Sequence, residues 1–113
     1  MKQNIYYRIN IELKKIVAWS KSSQSDFALD RLYDELFKEY RIDISYGILN
    51  HIFCLADAFY DSVSHDNPII TDNYSTVAAR EDLEYVIKMI DQNRIEELEN
   101  DFELRKRLLS VYD

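Results

Sequence analysis

The chain has 113 residues, with 21 acidic and 14 basic side chains, a formal net charge of −7 and 47% apolar residues. That length holds one domain with its own core, and the composition excludes an intrinsically disordered chain. One glycine and one proline are too few for the turns of an all-β sandwich, so helices are expected.

Ile5, Ile9, Leu13, Ile16 and Val17 recur at helical spacing, with Arg8, Lys14 and Lys15 on other faces. The spacing predicts a first helix over 4–19. A serine-rich turn follows at 20–25. Ser25 is a candidate cap, and Asp26 sits where the next helix dipole favours an acid. A second helix over 26–40 would bury Leu29, Leu32, Leu36 and Tyr40. A third, over 46–63, is apolar nearly all round through Ile48, Leu49, Ile52, Phe53, Leu55, Ala56 and Phe59. Such a helix belongs at the centre of the fold. It turns acidic only at its end, at Asp57 and Asp61.

The stretch 64–76 holds the only proline and little periodicity. It reads as the longest loop, with Ile69-Ile70 folding back onto the core. A fourth helix over 77–91 would bury Leu83, Val86, Ile87 and Ile90. Gln92-Asn93 is a candidate break before a fifth segment over 95–111, carried by Ile95, Leu98, Phe102 and Leu109. No Gly or Pro separates the last two, so one long bent helix is the alternative. The expected architecture is an all-α, antiparallel bundle of four to five helices. It forms a single domain over 1–113, with a bundle core over 4–91 and an extra C-terminal helix over 94–111.

The apolar runs are too short to span a bilayer, and Met1-Lys2-Gln3-Asn4-Ile5 holds no signal-peptide segment. The lone Cys54 excludes an internal disulfide and suits a reducing compartment, so a cytoplasmic location is expected, with no membrane partner.

Charge is distributed unevenly. Over 57–103 there are thirteen acids against Arg80, Lys88 and Arg94, a net charge of −10. The first 25 residues carry +4. Such a field repels nucleic acid and attracts a basic protein. A solvated face that keeps the protein soluble is the plain alternative. Against it, Asp61, Asp66 and Asp72 are placed in or beside a loop, not only on helices. Of the nine tyrosines, Tyr60 and Tyr74 flank this acidic loop and are candidate aromatic anchors. Tyr33, Tyr40 and Tyr85 read as core-edge residues.

No catalytic or cofactor motif competes with the charge pattern. His51, on the third helix, reads as a buried or half-buried packing residue, and His65 as a solvated loop residue beside Asp66. A calcium-binding loop starting at Asp61 fails. It would put Val63 and His65 at ligand positions, Asp66 where glycine is needed, and Asp72 in place of the terminal glutamate. Cys54 lies inside an apolar helix and reads as packing. Gly47, the only glycine, excludes a glycine-rich phosphate loop. No catalytic residue, metal or cofactor is expected.

Several segments together carry a family likeness. They are Lys21-Ser22-Ser23-Gln24-Ser25-Asp26-Phe27, Ile48-Leu49-Asn50, Ile52-Phe53-Cys54-Leu55-Ala56-Asp57-Ala58-Phe59, the acidic loop, and Leu83-Glu84-Tyr85-Val86. Over 15–90 the pattern resembles the immunity proteins of colicin D type, which accompany bacteriocin or contact-dependent-inhibition toxins. The resemblance implies a four-helix protein that binds a cognate toxin nuclease. Its acids would stand in for phosphates in the toxin's basic, tRNA-cleaving active site. It places that role on Asp57 and on Asp61 or Asp66, and it gives no counterpart for the segment after Asp91. The expected partner-binding set is Asp57, Asp61, Asp66, Asp72, Tyr60 and Tyr74, with no direct nucleic-acid contact. A helical interaction scaffold or self-associating regulator is the alternative, and a small enzyme the third reading.

Overall fold

The computed structural model describes residues 2–18 and 48–112. Helix α1 spans Lys2–Ala18 and α2 spans Ile48–Ser64. A hairpin of β1 (Ile69–Thr71) and β2 (Tyr74–Ser75) follows. Then come α3 (Thr76–Asp91), α4 (Ile95–Glu99), α5 (Phe102–Leu109) and a 3-10 turn at Ser110–Tyr112. The helix expected over 26–40, its Ser25 cap, and Tyr33 and Tyr40 lie outside the described residues.

The apolar periodicity of α1 resolves into one buried stripe, Ile5, Ile9, Leu13 and Ile16, laid against α3. Helix α2 buries all seven apolar residues expected of it and packs on α3 and α5. Polar contacts fix the α1–α3 pairing from outside. Asn10 Nδ2 donates to Asp91 Oδ1 over 3.0 Å, Lys14 Nζ reaches the same oxygen at 2.9 Å, and Tyr7 donates to Asn93 at 2.8 Å.

A chain with one glycine must end its helices some other way. Asp66 and Asn93 take the left-handed conformation, with φ of 54° and 57°. Their short polar side chains tolerate it at modest cost. Around Asn93 the N–H of Asn93 bonds Ile90 O at 2.9 Å and the N–H of Arg94 bonds Met89 O at 2.8 Å. Around Asp66 the matching bonds run from Asp66 to Val63 and from Asn67 to Ser62. These paired bonds satisfy carbonyls that a helix end leaves orphaned. Gln92-Asn93 is therefore a break, and no long bent helix forms. A second break follows at Asp101, whose carboxylate caps α5 by accepting from Leu104 N at 3.0 Å.

Two expectations are corrected. The stretch 64–76 is not pure loop, and the fold is not strictly all-α. Ile69-Ile70-Thr71 is a β-branched run that pairs antiparallel with Tyr74-Ser75 across the Asp72-Asn73 turn. Thr71 Oγ1 accepts from Asn73 N at 3.3 Å and steadies that turn. Ile70 packs against the core as expected, but Ile69 is 56% exposed. The C-terminal segment is corrected too. The cap at Asp101 restarts the helical phase, so Leu104, Leu108 and Val111 face inward. Phe102 and Leu109 turn outward, at 73% and 52% exposure. Together with Ile95 and Leu98 the inward residues join the same core cluster as α1 to α3. The segment is part of the core and not an appendage. No helix among the described residues is long and apolar enough to cross a membrane.

Replacing the fully buried Ile52 by Ala should cost about 2–5 kcal/mol, while Phe102→Ala should cost under about 1 kcal/mol. Urea unfolding of both variants checks this. A larger loss at Phe102 would place that ring inside.

Candidate functional site

The last two turns of helix α2 keep Phe59 and Ser62 buried and turn their acids outward. Asp57, Asp61 and His65 follow at four-residue spacing, so they share one face, and all three are exposed. That face forms one wall of a groove of about 490 Å³. Ile69 and Ile70 of the hairpin and Val111 of the C-terminal turn line it as well.

The walls come from three distant parts of the chain and are tied together. Ser62 Oγ, buried under α2, donates to the carbonyl of Asn67 and shares a hydrogen bond with Thr76 Oγ1. Thr76 N donates to Pro68 O at 2.8 Å, closing the base of the hairpin onto α3. Thr71 Oγ1 donates to Ser110 O at 3.2 Å, holding the hairpin to the C-terminal turn. His65 Nδ1 lies 2.9 Å from the Asp61 carbonyl, which folds the ring back along the helix. With its proton on Nδ1, that contact is a hydrogen bond.

Nine of the thirteen acids fall into two groups. Five of them work inside the fold. Asp91 bridges α1 and α3; Asp101 caps α5; Glu84 pairs with Arg80, and Glu97 with Arg94, along exposed helix turns. The fifth, Asp82, is only 6% exposed and accepts from two donors, the Tyr74 hydroxyl and Arg107 Nε at 3.0 Å. Asp57, Asp61, Asp66 and Asp72 are grouped by exposure, and Asp57 and Asp66 also interact within the fold. All four are exposed, at the end of α2 or on the turn that tips the hairpin. The Asp61 and Asp72 carboxylates form no hydrogen bond or ion pair with another described residue.

Of the expected aromatic anchors, Tyr60 is half-buried on α2. Tyr74 is a correction. It is 5% exposed, and its hydroxyl is spent on Asp82, so it presents no ring to a partner. It stands opposite Thr71, and the irregular register between Ile69 and Thr71 separates it from the exposed Ile69. Burial, and then the bond to the Asp82 carboxylate, raise the Tyr74 phenol above its usual range. About one turn further along α3, Tyr85 donates to Asp101 Oδ2 at 2.5 Å. That bond lowers the Asp101 carboxyl against the opposing effect of burial, and it raises the Tyr85 phenol.

His51 is half-buried on α2, as its place on the helix implies. Burial first, and the nearby Arg105 guanidinium second, lower it from 6.5. Arg105 is itself anchored to the Glu99 carbonyl at 3.1 Å. No group of three or more His, Cys, Asp or Glu side chains among the described residues is placed to hold a metal ion.

The sequence reading missed Asp82, Asp91 and Asp101 as structural acids. Asp101 carried a local signal, a cap three residues before Leu104. Asp82 and Asp91 carried none, because the partners of Asp82 are 8 and 25 residues away, in other elements, and those of Asp91 are 77 and 81 residues away. No protein family, curated protein sequence or solved structure matches this chain.

Tyr74→Phe removes one of two donors to a buried carboxylate and should destabilise the fold by about 1–3 kcal/mol without altering the groove face. Chemical denaturation measures it, and a neutral result would mean that water replaces the phenol. His51 gives a pH test. Its folded value lies below 6.5, so its contribution to stability is complete above 6.5 and is lost as pH falls through the lowered value. Between about pH 7.5 and about pH 5.5 the parent chain should therefore lose more melting temperature than His51→Gln. Parallel losses in the two proteins would remove His51 as a source of that dependence.

Proposed function

We propose that this chain is a helical-bundle immunity protein that captures a basic protein partner, a cognate bacterial nuclease toxin, through the acidic end of α2. It performs no catalysis of its own. The observation that carries this reading is the exposed Asp57–Asp61 face on a helix rooted in the core. Glu81, Glu96 and Glu103 of α3 to α5 are exposed as well, and the end of α2 is set apart by the groove that Asp57 and Asp61 line. Two exposed acids lining the groove, with the exposed Asp66 and Asp72 on the adjoining turns, attract a cationic protein at long range and speed its encounter. The resemblance to the colicin D type proteins supplies the toxin class, and the −10 stretch supplies the sign of the partner.

A second reading rests on Phe102 and Leu109, seven residues apart on the outer face of α5 and both largely exposed. Such a stripe suits a self-associating regulator. Light scattering across a concentration series separates the two, since a toxin-binding monomer keeps its mass until the partner is added.

The test for capture is binding to the nuclease encoded beside this gene, together with protection of cells that express it. Asp57→Lys with Asp61→Lys should weaken affinity by about ten-fold or more and abolish protection, with the helical spectrum intact. Lys14→Glu with Lys15→Glu should change affinity far less. Added salt should weaken the parent complex, because exposed charges are screened over about 8 Å at physiological ionic strength. A larger effect from the lysine pair would move the binding face to α1.

A further inference from the structure

The groove has two chemically different walls, and one kind of side chain satisfies both. Asp57 and Asp61 stand one helical turn apart on one side, and the Asp61 carboxylate is uncommitted among the described residues. Ile69, Ile70 and Val111 form the other side. Ile69 keeps more than half of its surface in water although it belongs to a folded hairpin. An exposed isoleucine is ordinary by itself, but Ile69 lines the same groove as two carboxylates. A purely apolar cleft would not place two carboxylates at its edge. A long cationic side chain needs both, an apolar bed for its methylene stem and carboxylates for its head.

We infer that the groove between α2, the hairpin and the C-terminal turn is a socket for one arginine side chain of the partner protein. The inference rests on the capture reading and goes further, naming the residue that enters and the wall that holds its stem. Guanidinium is favoured over ammonium for two reasons. Its planar fork presents five donors and can meet carboxylates at successive helix positions together. It is also more weakly hydrated, so leaving water for a groove lined with isoleucine costs it less. The hydrogen bonds that join α2, the hairpin and the C-terminal turn keep both walls in place before the partner arrives, which limits the ordering cost of binding.

The test uses the full chain, isotopically labelled, and three small probes followed by amide chemical shifts. Nα-acetyl-arginine amide should give saturable shifts at Asp57, Asp61, His65, Ile70 and Val111. Nα-acetyl-citrulline amide, the uncharged isostere, should give none. Nα-acetyl-lysine amide should bind more weakly than the arginine probe. Asp61→Asn should weaken arginine binding by about three-fold, and Ile69→Thr, which keeps the β-branch and removes the apolar tip, by about two-fold. Both positions are exposed, so the amide spectrum should report an unchanged fold. Arginine shifts spread evenly over Glu96, Glu97 and Glu103 would overturn the socket. So would lysine binding as tight as arginine, or citrulline binding equal to either. The two readings fail separately. A socket that takes arginine in a chain that binds no nuclease refutes the immunity role alone. A nuclease complex insensitive to Ile69→Thr, with no arginine binding to the free chain, refutes the socket alone.

Discussion

A buried carboxylate sets the position of everything around the groove. Asp82 lies under the surface of α3 and accepts from Tyr74 of the hairpin and Arg107 of α5. Removing such a charge from water costs several kcal/mol unless good donors replace the water, as two do here. The same two bonds decide where the hairpin and the last helix can stand. Tyr74 fixes the hairpin from its buried side, and Arg107 fixes α5 three residues before the Ser110 carbonyl that receives Thr71. The groove is therefore a by-product of how this chain settles one acid inside its core.

The same economy explains the acid-rich composition. With one glycine, the chain closes α2 and α3 with Asp66 and Asn93 in left-handed conformations, and it starts α5 with Asp101. Asp91 then bridges back to α1 through Asn10 and Lys14, so the basic N-terminal helix and the acidic C-terminal half meet directly. The Lys14–Asp91 pair is about half exposed on both sides, and its own contribution is at most about 1 kcal/mol. Its value lies in orientation, since it sits at the end of a fully buried apolar stripe that supplies the energy. Net charge alone thus overstates the surface that a partner meets.

Helices α1, α2 and α3 were legible in the sequence because each repeats one apolar face over four turns or more, and the repetition outweighs any single exception. Short elements carry no such redundancy. The hairpin offers three β-branched residues and a two-residue turn, too little to stand out within a polar stretch. The phase of α5 depends on where Asp101 restarts the helix, and a shift of that start carries Phe102 and Leu109 to the surface and Leu104 and Leu108 inside. Tyr74 was misplaced for a related reason. Proximity in sequence to the acidic loop placed it at the surface, whereas its bond to Asp82 on the following helix holds it inward. Asp57 and Asp61 were legible as a face because helical spacing alone brings them together. The apolar wall opposite them was not, since it joins residues 69 and 70 to residue 111.

Charge and shape act at different stages of an encounter with a basic protein. The summed field of the acidic half works over the screening length and governs how often a cationic partner arrives. It depends little on which acid carries the charge, so the caps and ion pairs of α3 to α5 contribute to it without facing the partner. Residence is decided at close range, by desolvated contacts in a groove that is already formed. A chain that must neutralise a partner quickly and hold it needs both. Under the proposed capture the two requirements separate along the polypeptide, with the field spread over the acidic half and the close contacts assigned to the end of α2, the hairpin and the C-terminal turn. Substitutions in the first group should alter arrival, and substitutions in the second should alter departure, which is the pattern expected of a surface built for capture rather than of acids scattered for solubility.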